Sequence, residues 1–329
     1  MNRFTILLLI VAVFISPCFS QRIAFIRGKD VVAGEVSGKV FQKITRLGGN
    51  AAKGDDLQLC SDGRSVAYTL SIDVKHPKGS GKPDFERYIE LSNLDGTGCV
   101  RFPDPGEKNS FGPRWSPDNQ RVAFDRLYRS PLSQDLQWVV SIATRDLKEG
   151  MRLQNPALDH GYFVYTWTPD GNLAVMGNDT INTFDRSGSI IEAVPLTLDT
   201  LGGTSFSPSS ADIISISPDG RFMLWILTGA DEGSRNFAAL YDEEDLYGIM
   251  MVYDRITRVL HRISPKSMAM AFEPPAWLPD GRTVVFAGIQ AAKPFRKGAH
   301  PTTDLFSMDV DGSNLAKIAV DAHDPVVLK

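Results

Sequence analysis

The sequence predicts an all-β fold: a six-bladed β-propeller of four-stranded antiparallel blades, closed by pairing of its N- and C-terminal strands. Three observations predict it. A tight-turn signature recurs five times at intervals of roughly fifty residues. Each copy is followed by the same succession of short strands. The pieces left over at the two ends complement each other as one further unit.

The signature runs Leu59-Cys60-Ser61-Asp62-Gly63, Trp115-Ser116-Pro117-Asp118-Asn119, Trp167-Thr168-Pro169-Asp170-Gly171, Ile216-Ser217-Pro218-Asp219-Gly220 and Trp277-Leu278-Pro279-Asp280-Gly281. Pro presets φ for the second turn position, Asp suits the third, and Gly takes the left-handed position that follows. Asn119 stands for Gly in one copy, the best non-Gly residue there. The chemistry is that of a hairpin built on a type I turn with a Gly bulge, so the five Asp residues are expected to be structural.

A β-rich run follows each turn: Ser65 to Leu70, Arg121 to Phe124, Asn172 to Met176, Arg221 to Leu227 and Arg282 to Ala287. Then come a further apolar strand, a polar turn and a last short strand, as in Leu305 to Met308, Asp309 to Asn314 and Leu315 to Ala319. Each unit therefore has four strands, A to D, which is the content of a propeller blade. The sixth blade is split. Residues 21–45 supply two or three strands without a turn signature, and Pro325 to Leu328 is a lone strand. Pairing them closes the ring and removes two exposed edges.

The repeats resemble those of the TolB-like propellers, relatives of the WD-type repeat. Trp115-Ser116-Pro117-Asp118 with Arg121-Val122-Ala123-Phe124 is similar to that family's inner hairpin, and Leu305-Phe306-Ser307-Met308-Asp309 through Gly312-Ser313-Asn314 to its outer one. The resemblance implies the fold over residues 21–329 and says little of function. It departs from TolB itself, whose propeller follows an α/β domain, whereas here the repeats begin just after the leader.

The leader is residues 1–20. Arg3 precedes an apolar run from Phe4 to Ile15, broken by Ser16 and Pro17, with Cys18 and Ser20 placed for cleavage before Gln21. The run is too short to span a bilayer as a helix, and Pro17 fits poorly with lipidation of Cys18. A periplasmic or secreted protein of one propeller domain, residues 21–329, is expected, with no membrane span in the mature chain. The net charge of −4 lacks the basic excess of a nucleic-acid binder.

No enzyme constellation stands out: there is no G-x-S-x-G, H-E-x-x-H or C-x-x-C. His76, His160, His261, His300 and His323 are scattered, and solvated loop histidines are the plainer reading; convergence on the propeller axis is what would make a metal site of them. Asp309 to Asn314 resembles the start of a calcium loop but lacks its later ligands. Trp115, Trp167 and Trp277 read as packing between blades rather than as a sugar platform. No catalytic residue, metal ligand or cofactor is expected.

The long insertions gather between strands B and C: Ile72 to Glu86, Leu127 to Leu136, Thr228 to Tyr247 and Gly288 to Thr303. Loops on a rigid scaffold are where binding residues usually sit. One loop carries Asp242, Glu243, Glu244 and Asp245; another carries Lys293, Arg296 and Lys297. These seven residues are the expected contacts with a protein partner. The alternatives are an enzyme of the polysaccharide lyase or glycosidase type with its site on the axis, and a sensor of a small ligand. Cys60 falls at the end of strand A and Cys99 at the start of strand D, roughly 14 Å apart at ~4.8 Å per strand, so no disulfide is expected.

Overall fold

Strands buried on both faces must carry apolar side chains at nearly every position, and here they do. In the run Ile23-Ala24-Phe25-Ile26, Ile23 and Phe25 pack to one side while Ala24 and Ile26 pack to the other. In Phe222 to Ile226, Phe222, Leu224 and Ile226 face one neighbour, and Met223 and Trp225 face the other. The period-two alternation of a strand thus feeds two separate cores. Each of the six apolar clusters joins one blade to the next.

The computed structural model describes residues 21–37, 40–75, 85–103, 108–129, 136–146, 148–153, 164–176, 180–195, 213–228, 248–265, 268–271, 273–290 and 302–329. Strands are numbered in chain order. Blade 2 is β4 (Asp55–Leu59), β5 (Ser65–Asp73), β6 (Phe85–Asn93) and β7 (Val100–Arg101). Blade 3 is β8 (Ser110–Trp115), β9 (Arg121–Arg129), β10 (Leu136–Thr144) and β11 (Glu149–Leu153). Blade 4 is β12 (Tyr165–Trp167), β13 (Leu173–Met176), β14 (Thr180–Phe184) and β15 (Ile190–Pro195). Blade 5 is β16 (Ile213–Ile216), β17 (Phe222–Thr228), β18 (Gly248–Asp254) and β19 (Val259–Arg262). Blade 6 is β21 (Ala276–Trp277), β22 (Thr283–Gln290), β23 (Asp304–Asp309) and β24 (Ala316–Ala319).

Blade 1 is the split one. Its order is β25 (His323–Val327), β1 (Arg22–Arg27), β2 (Asp30–Glu35) and β3 (Val40–Arg46). The C-terminal strand is strand A of this blade, paired through Ile23↔Val327, Ala24↔Val326 and Ile26↔His323. The expected ring closure is therefore present. One element was not foreseen. β20 (Met268–Met270) pairs with β22 along Met268↔Gln290 to Met270↔Gly288 and touches β18 at Gly248, so blades 5 and 6 share a sheet.

The five signatures form the expected turns. Gly63, Asn119, Gly171, Gly220 and Gly281 all have positive φ, between 58 and 80°. At Gly171 an added Cβ would also lie 2.9 Å from an Arg121 guanidinium nitrogen, so the glycine answers both conformation and space. The Asp side chains of blades 2, 3, 5 and 6 accept backbone N–H groups of their own turns, as in Arg64→Asp62 at 2.8 Å and Arg282→Asp280 at 2.8 Å. Asp309 to Asn314 is likewise a strand C–D turn. Asp311 accepts the Ser313 N–H at 2.9 Å, and Asp309 accepts Asn314 Nδ2 at 2.7 Å. Cys60 is buried, Cys99 is exposed, and neither is in a disulfide.

Candidate functional site

The A strands of successive blades contact one another around the axis. Three of these junctions carry one repeated device. Trp115 Nε1 donates to the Gln58 carbonyl at 3.2 Å, and Trp167 Nε1 to the Arg114 carbonyl at 3.0 Å. Trp277 Nε1 donates to Ser215 Oγ at 3.0 Å. Each indole, last residue of its strand, reaches the penultimate residue of strand A in the preceding blade. The tryptophans are inter-blade packing, as the sequence suggests. Guanidinium groups cover two of them, Arg145 over Trp115 at 5.4 Å and Arg121 over Trp167 at 4.6 Å.

Four of these strands end just before their turns, so Leu59, Trp115, Trp167 and Ile216 stand at one level, joined there by Val326 near the end of β25. Leu59, Trp115, Trp167, Ile216 and Val326 line a cavity of about 410 Å³ at the turn end of the axis. Pro117, Pro169 and Pro218 form much of its rim, with Ser61, Asn119 and Lys329 as polar members. The polar atoms around it are engaged. The Trp115 N–H donates to Gln58 Oε1 at 2.7 Å, and Ser61 Oγ to Asn119 Oδ1 at 2.9 Å. Lys329 donates its N–H to the Ser61 carbonyl at 3.0 Å and its ammonium to the Pro117 carbonyl. Burial holds the neighbouring Cys60 thiol up at about 12, against a hydrogen bond from backbone at Asp62 that lowers it, so it stays protonated and unreactive. The turn hydroxyls are engaged within their own turns: Ser116 Oγ donates to Asp118 at 2.5 Å and Ser217 Oγ to Asp219 at 2.5 Å. The cavity offers mostly apolar surface, which suits binding.

The seven charged loop residues, Asp242, Glu243, Glu244, Asp245, Lys293, Arg296 and Lys297, lie outside the described residues. The strand ends from which their loops leave are described. β17 and β18 pair from Phe222↔Asp254 beside the turn to Thr228↔Gly248 at the far end, so the ends of these strands that flank the loop lie opposite the cavity.

That far end brings His323, one of the five scattered histidines, together with Glu273 and Asp324, which the sequence did not single out. Glu273 precedes β21, and His323 and Asp324 open β25. One donor atom from each lies within 4.8 Å of the others. His323 Nδ1 stands 2.9 Å from Asp324 Oδ2, and the Asp324 N–H donates to Glu273 at 2.9 Å. Burial first, then the Asp324 charge, pushes Glu273 up to about 8. Among the other histidines, His261 Nε2 lies 2.9 Å from the Val310 carbonyl, while His76, His160 and His300 are outside the described residues. Midway along blade 3, Asp125 is fully buried with Oδ1 unpartnered, and burial raises its carboxyl far above the usual range. Close by, the Tyr165 hydroxyl donates to the Gly112 carbonyl.

No protein-family model matches the sequence, and no curated protein matches it. Solved structures do match its fold. A TolB-type protein from Agrobacterium tumefaciens is similar over 92% of this chain and 89% of its own, with 14% identity and a TM-score of 0.50. A puromycin-hydrolysing peptidase of Mycobacterium tuberculosis matches over 90% of this chain at 14% identity and a TM-score of 0.46, but this chain spans only 42% of it. The β-propeller domain of the trilobed protease from Pyrococcus furiosus matches over 80% of this chain and 69% of its own, with 17% identity and a TM-score of 0.42. At such identities the likeness is one of fold.

Proposed function

We propose that this propeller is a binding or scaffold module for a protein partner, exported to the periplasm or secreted after removal of residues 1–20. The observation that carries the reading is the apolar cavity at the turn end of the axis. Its lining of Trp, Leu, Ile and Pro is that of a pocket for an apolar anchor, the kind of contact that dominates interface energies. Its polar neighbours are already satisfied, so an apolar group entering it leaves few unpaired donors or acceptors. Among the described residues no helix is long and apolar enough to cross a membrane, which is compatible with an exported domain. The charged B–C loop residues, Asp242 to Asp245 with Lys293, Arg296 and Lys297, are the proposed contacts on the opposite face. There charge would steer encounter and select partners more than add affinity.

The size of the cavity also supports a second reading, a sensor of a small apolar ligand, because a few hundred Å³ is within the range of small-molecule sites. Affinity capture from envelope extract tests the partner reading. Ser61→Trp fills the cavity from its rim, and charge reversal of the loop residues alters the other face. Loss of one captured protein in the Ser61→Trp variant, with circular dichroism unchanged, supports the cavity as the docking site. Loss in the charge-reversed variant assigns docking to the loops. A captured set identical for wild type and both variants would defeat the partner reading.

A further inference from the structure

We propose that Glu273, His323 and Asp324 form a binding site for a divalent transition cation of the Zn²⁺ or Mn²⁺ type, and that this cation clasps the ring-closing strand to the blade beside it. The three residues come from two blades. Glu273 leads into strand A of blade 6, and His323 and Asp324 begin strand A of blade 1. The site lies at the opposite end of the A strands from the apolar cavity, and its observations are independent of it.

Geometry gives the first reason. Zn²⁺ sits about 2.0–2.2 Å from imidazole nitrogen and carboxylate oxygen, so the donors it gathers stand roughly 3–4.4 Å apart. One imidazole nitrogen and one oxygen from each carboxylate already lie within 4.8 Å of one another. Small rotations of side chains close that distance.

Charge gives the second. Two carboxylates meet at half-buried positions, and Asp321 adds a third acid to the surroundings of His323. Among the described residues no Lys or Arg pairs with Glu273, His323 or Asp324. The imidazole can balance at most one negative charge. Glu273 accepts a hydrogen bond from the Asp324 N–H, and among the described residues no side chain donates to it. Withdrawing paired acids from water without a counter-charge is costly, and a dication supplies that positive charge.

The donor set decides the class of cation. Ca²⁺ takes six to eight oxygen ligands and Mg²⁺ retains most of its waters, whereas imidazole with carboxylates suits Zn²⁺ and Mn²⁺. Three protein ligands leave a coordination position for water or a ligand group.

The position of the site fixes the consequence. A ligand that binds the folded state and not the unfolded one stabilises it, by about 2.7 kcal/mol at a hundredfold excess over Kd. Here that gain applies at the junction where the two chain ends meet. The test is calorimetric titration and thermal melting of the purified protein after chelation, with ZnCl₂, MnCl₂ or CaCl₂ alone. One equivalent of Zn²⁺ or Mn²⁺ is expected to bind and to raise the melting temperature, with little response to Ca²⁺. Co²⁺ as a probe should give visible ligand-field absorption. His323→Ala and the near-isosteric Glu273→Gln should each remove the binding and the rise, while His261→Ala should leave both intact. If His323→Ala does not fold, Glu273→Gln alone decides. Absence of binding by Zn²⁺ and Mn²⁺, or binding that persists in the folded variants, would overturn the site. An equal rise with Ca²⁺ would overturn the class of cation.

Discussion

Asp125 shows how one residue can tie burial to pH. Its carboxyl is enclosed in blade 3, and burial, opposed only in part by the Arg114 charge, favours the neutral form. The folded-state pKa is thus above the unfolded value of about 3.9. The folded chain holds the proton more tightly, so its contribution to stability is full below the unfolded pKa and is lost as pH rises through the folded one. Asp125→Asn keeps the shape and removes the titration. It should raise the melting temperature at pH 7 relative to wild type, with the gap narrowing toward pH 4.5. An equal gap at both pH values would show that the carboxyl titrates normally. The two cysteines give a second test. Once residues 1–20 are removed, the native protein should react with a thiol reagent at Cys99 and not at buried Cys60, and the unfolded protein at both. A Cys60–Cys99 peptide in a non-reduced digest would show blade 2 to be misassigned. Both cysteines were legible in the sequence, because their places followed from strand order. Glu273, His323 and Asp324 were not. Glu273 and the His323–Asp324 pair are separated by about fifty residues, a blade's length, and no local motif marks a pairing that ring closure alone creates.

At the level of the element, the A–B turn is a small hydrogen-bond machine with two interchangeable settings. In blades 3, 4 and 5 a hydroxyl two residues before the Asp accepts a backbone N–H across the turn. Arg121→Ser116 Oγ is 2.9 Å, Asn172→Thr168 Oγ1 is 3.0 Å and Phe222→Ser217 Oγ is 2.8 Å. In blades 2 and 6 that position is Cys60 or Leu278, and the hydroxyl moves to three residues after the Asp. There Ser65 and Thr283 donate to Asp62 and Asp280, at 3.3 and 2.8 Å, while their N–H groups reach the same carboxylates. Ser217→Ala should therefore leave the buried Phe222 N–H without an acceptor and cost about 1–3 kcal/mol. Ser61→Ala, in a partly exposed rim position, should cost under about 0.5 kcal/mol. Urea midpoints at constant m-value measure both, and equal costs would mean the turn hydroxyl is not what satisfies that N–H. These turns were readable because their chemistry is local: Pro, Asp and Gly each answer a backbone demand at a fixed offset. β20 was not readable. Met268 to Met270 is too short to display a period, and its pairing with β22 and Gly248 depends on where blades 5 and 6 stand.

For the whole molecule, the consequential feature is that the ring is closed without a covalent link. Strand A of blade 1 is β25, at the edge of that sheet, and it contacts strand A of blade 2 and strand A of blade 6. Its removal does more than shorten a sheet. β1 would expose an unpaired edge, and the cores on both sides would open together. Val327 and Ala322 pack with Ile23, Phe25 and Ala276 on the blade 6 side. Val326 and Leu328 pack with Ala24, Leu59 and Val66 on the blade 2 side. Leu328 also donates its N–H to the Arg22 carbonyl at 2.9 Å. Val326, Val327 and Leu328 are partly buried, so each contributes less than the roughly 1.5–3 kcal/mol of a fully buried Val or Leu. Together with the strand's lost hydrogen bonds, loss of residues 322–329 should still remove several kcal/mol. At about 2–4 °C per kcal/mol or somewhat less for a chain of this size, the melting temperature should fall by about 10 °C or more. The bare edge should also promote association. A truncation can destabilise for trivial reasons, so the discriminating measurement is rescue in trans. A synthetic peptide of residues 322–329 should restore part of the lost melting temperature in a saturable way. A peptide with Pro replacing Val326, which pairs with Ala24 in the strand, should not. An unchanged melt after truncation, or equal rescue by both peptides, would mean that the ring does not depend on this strand for closure.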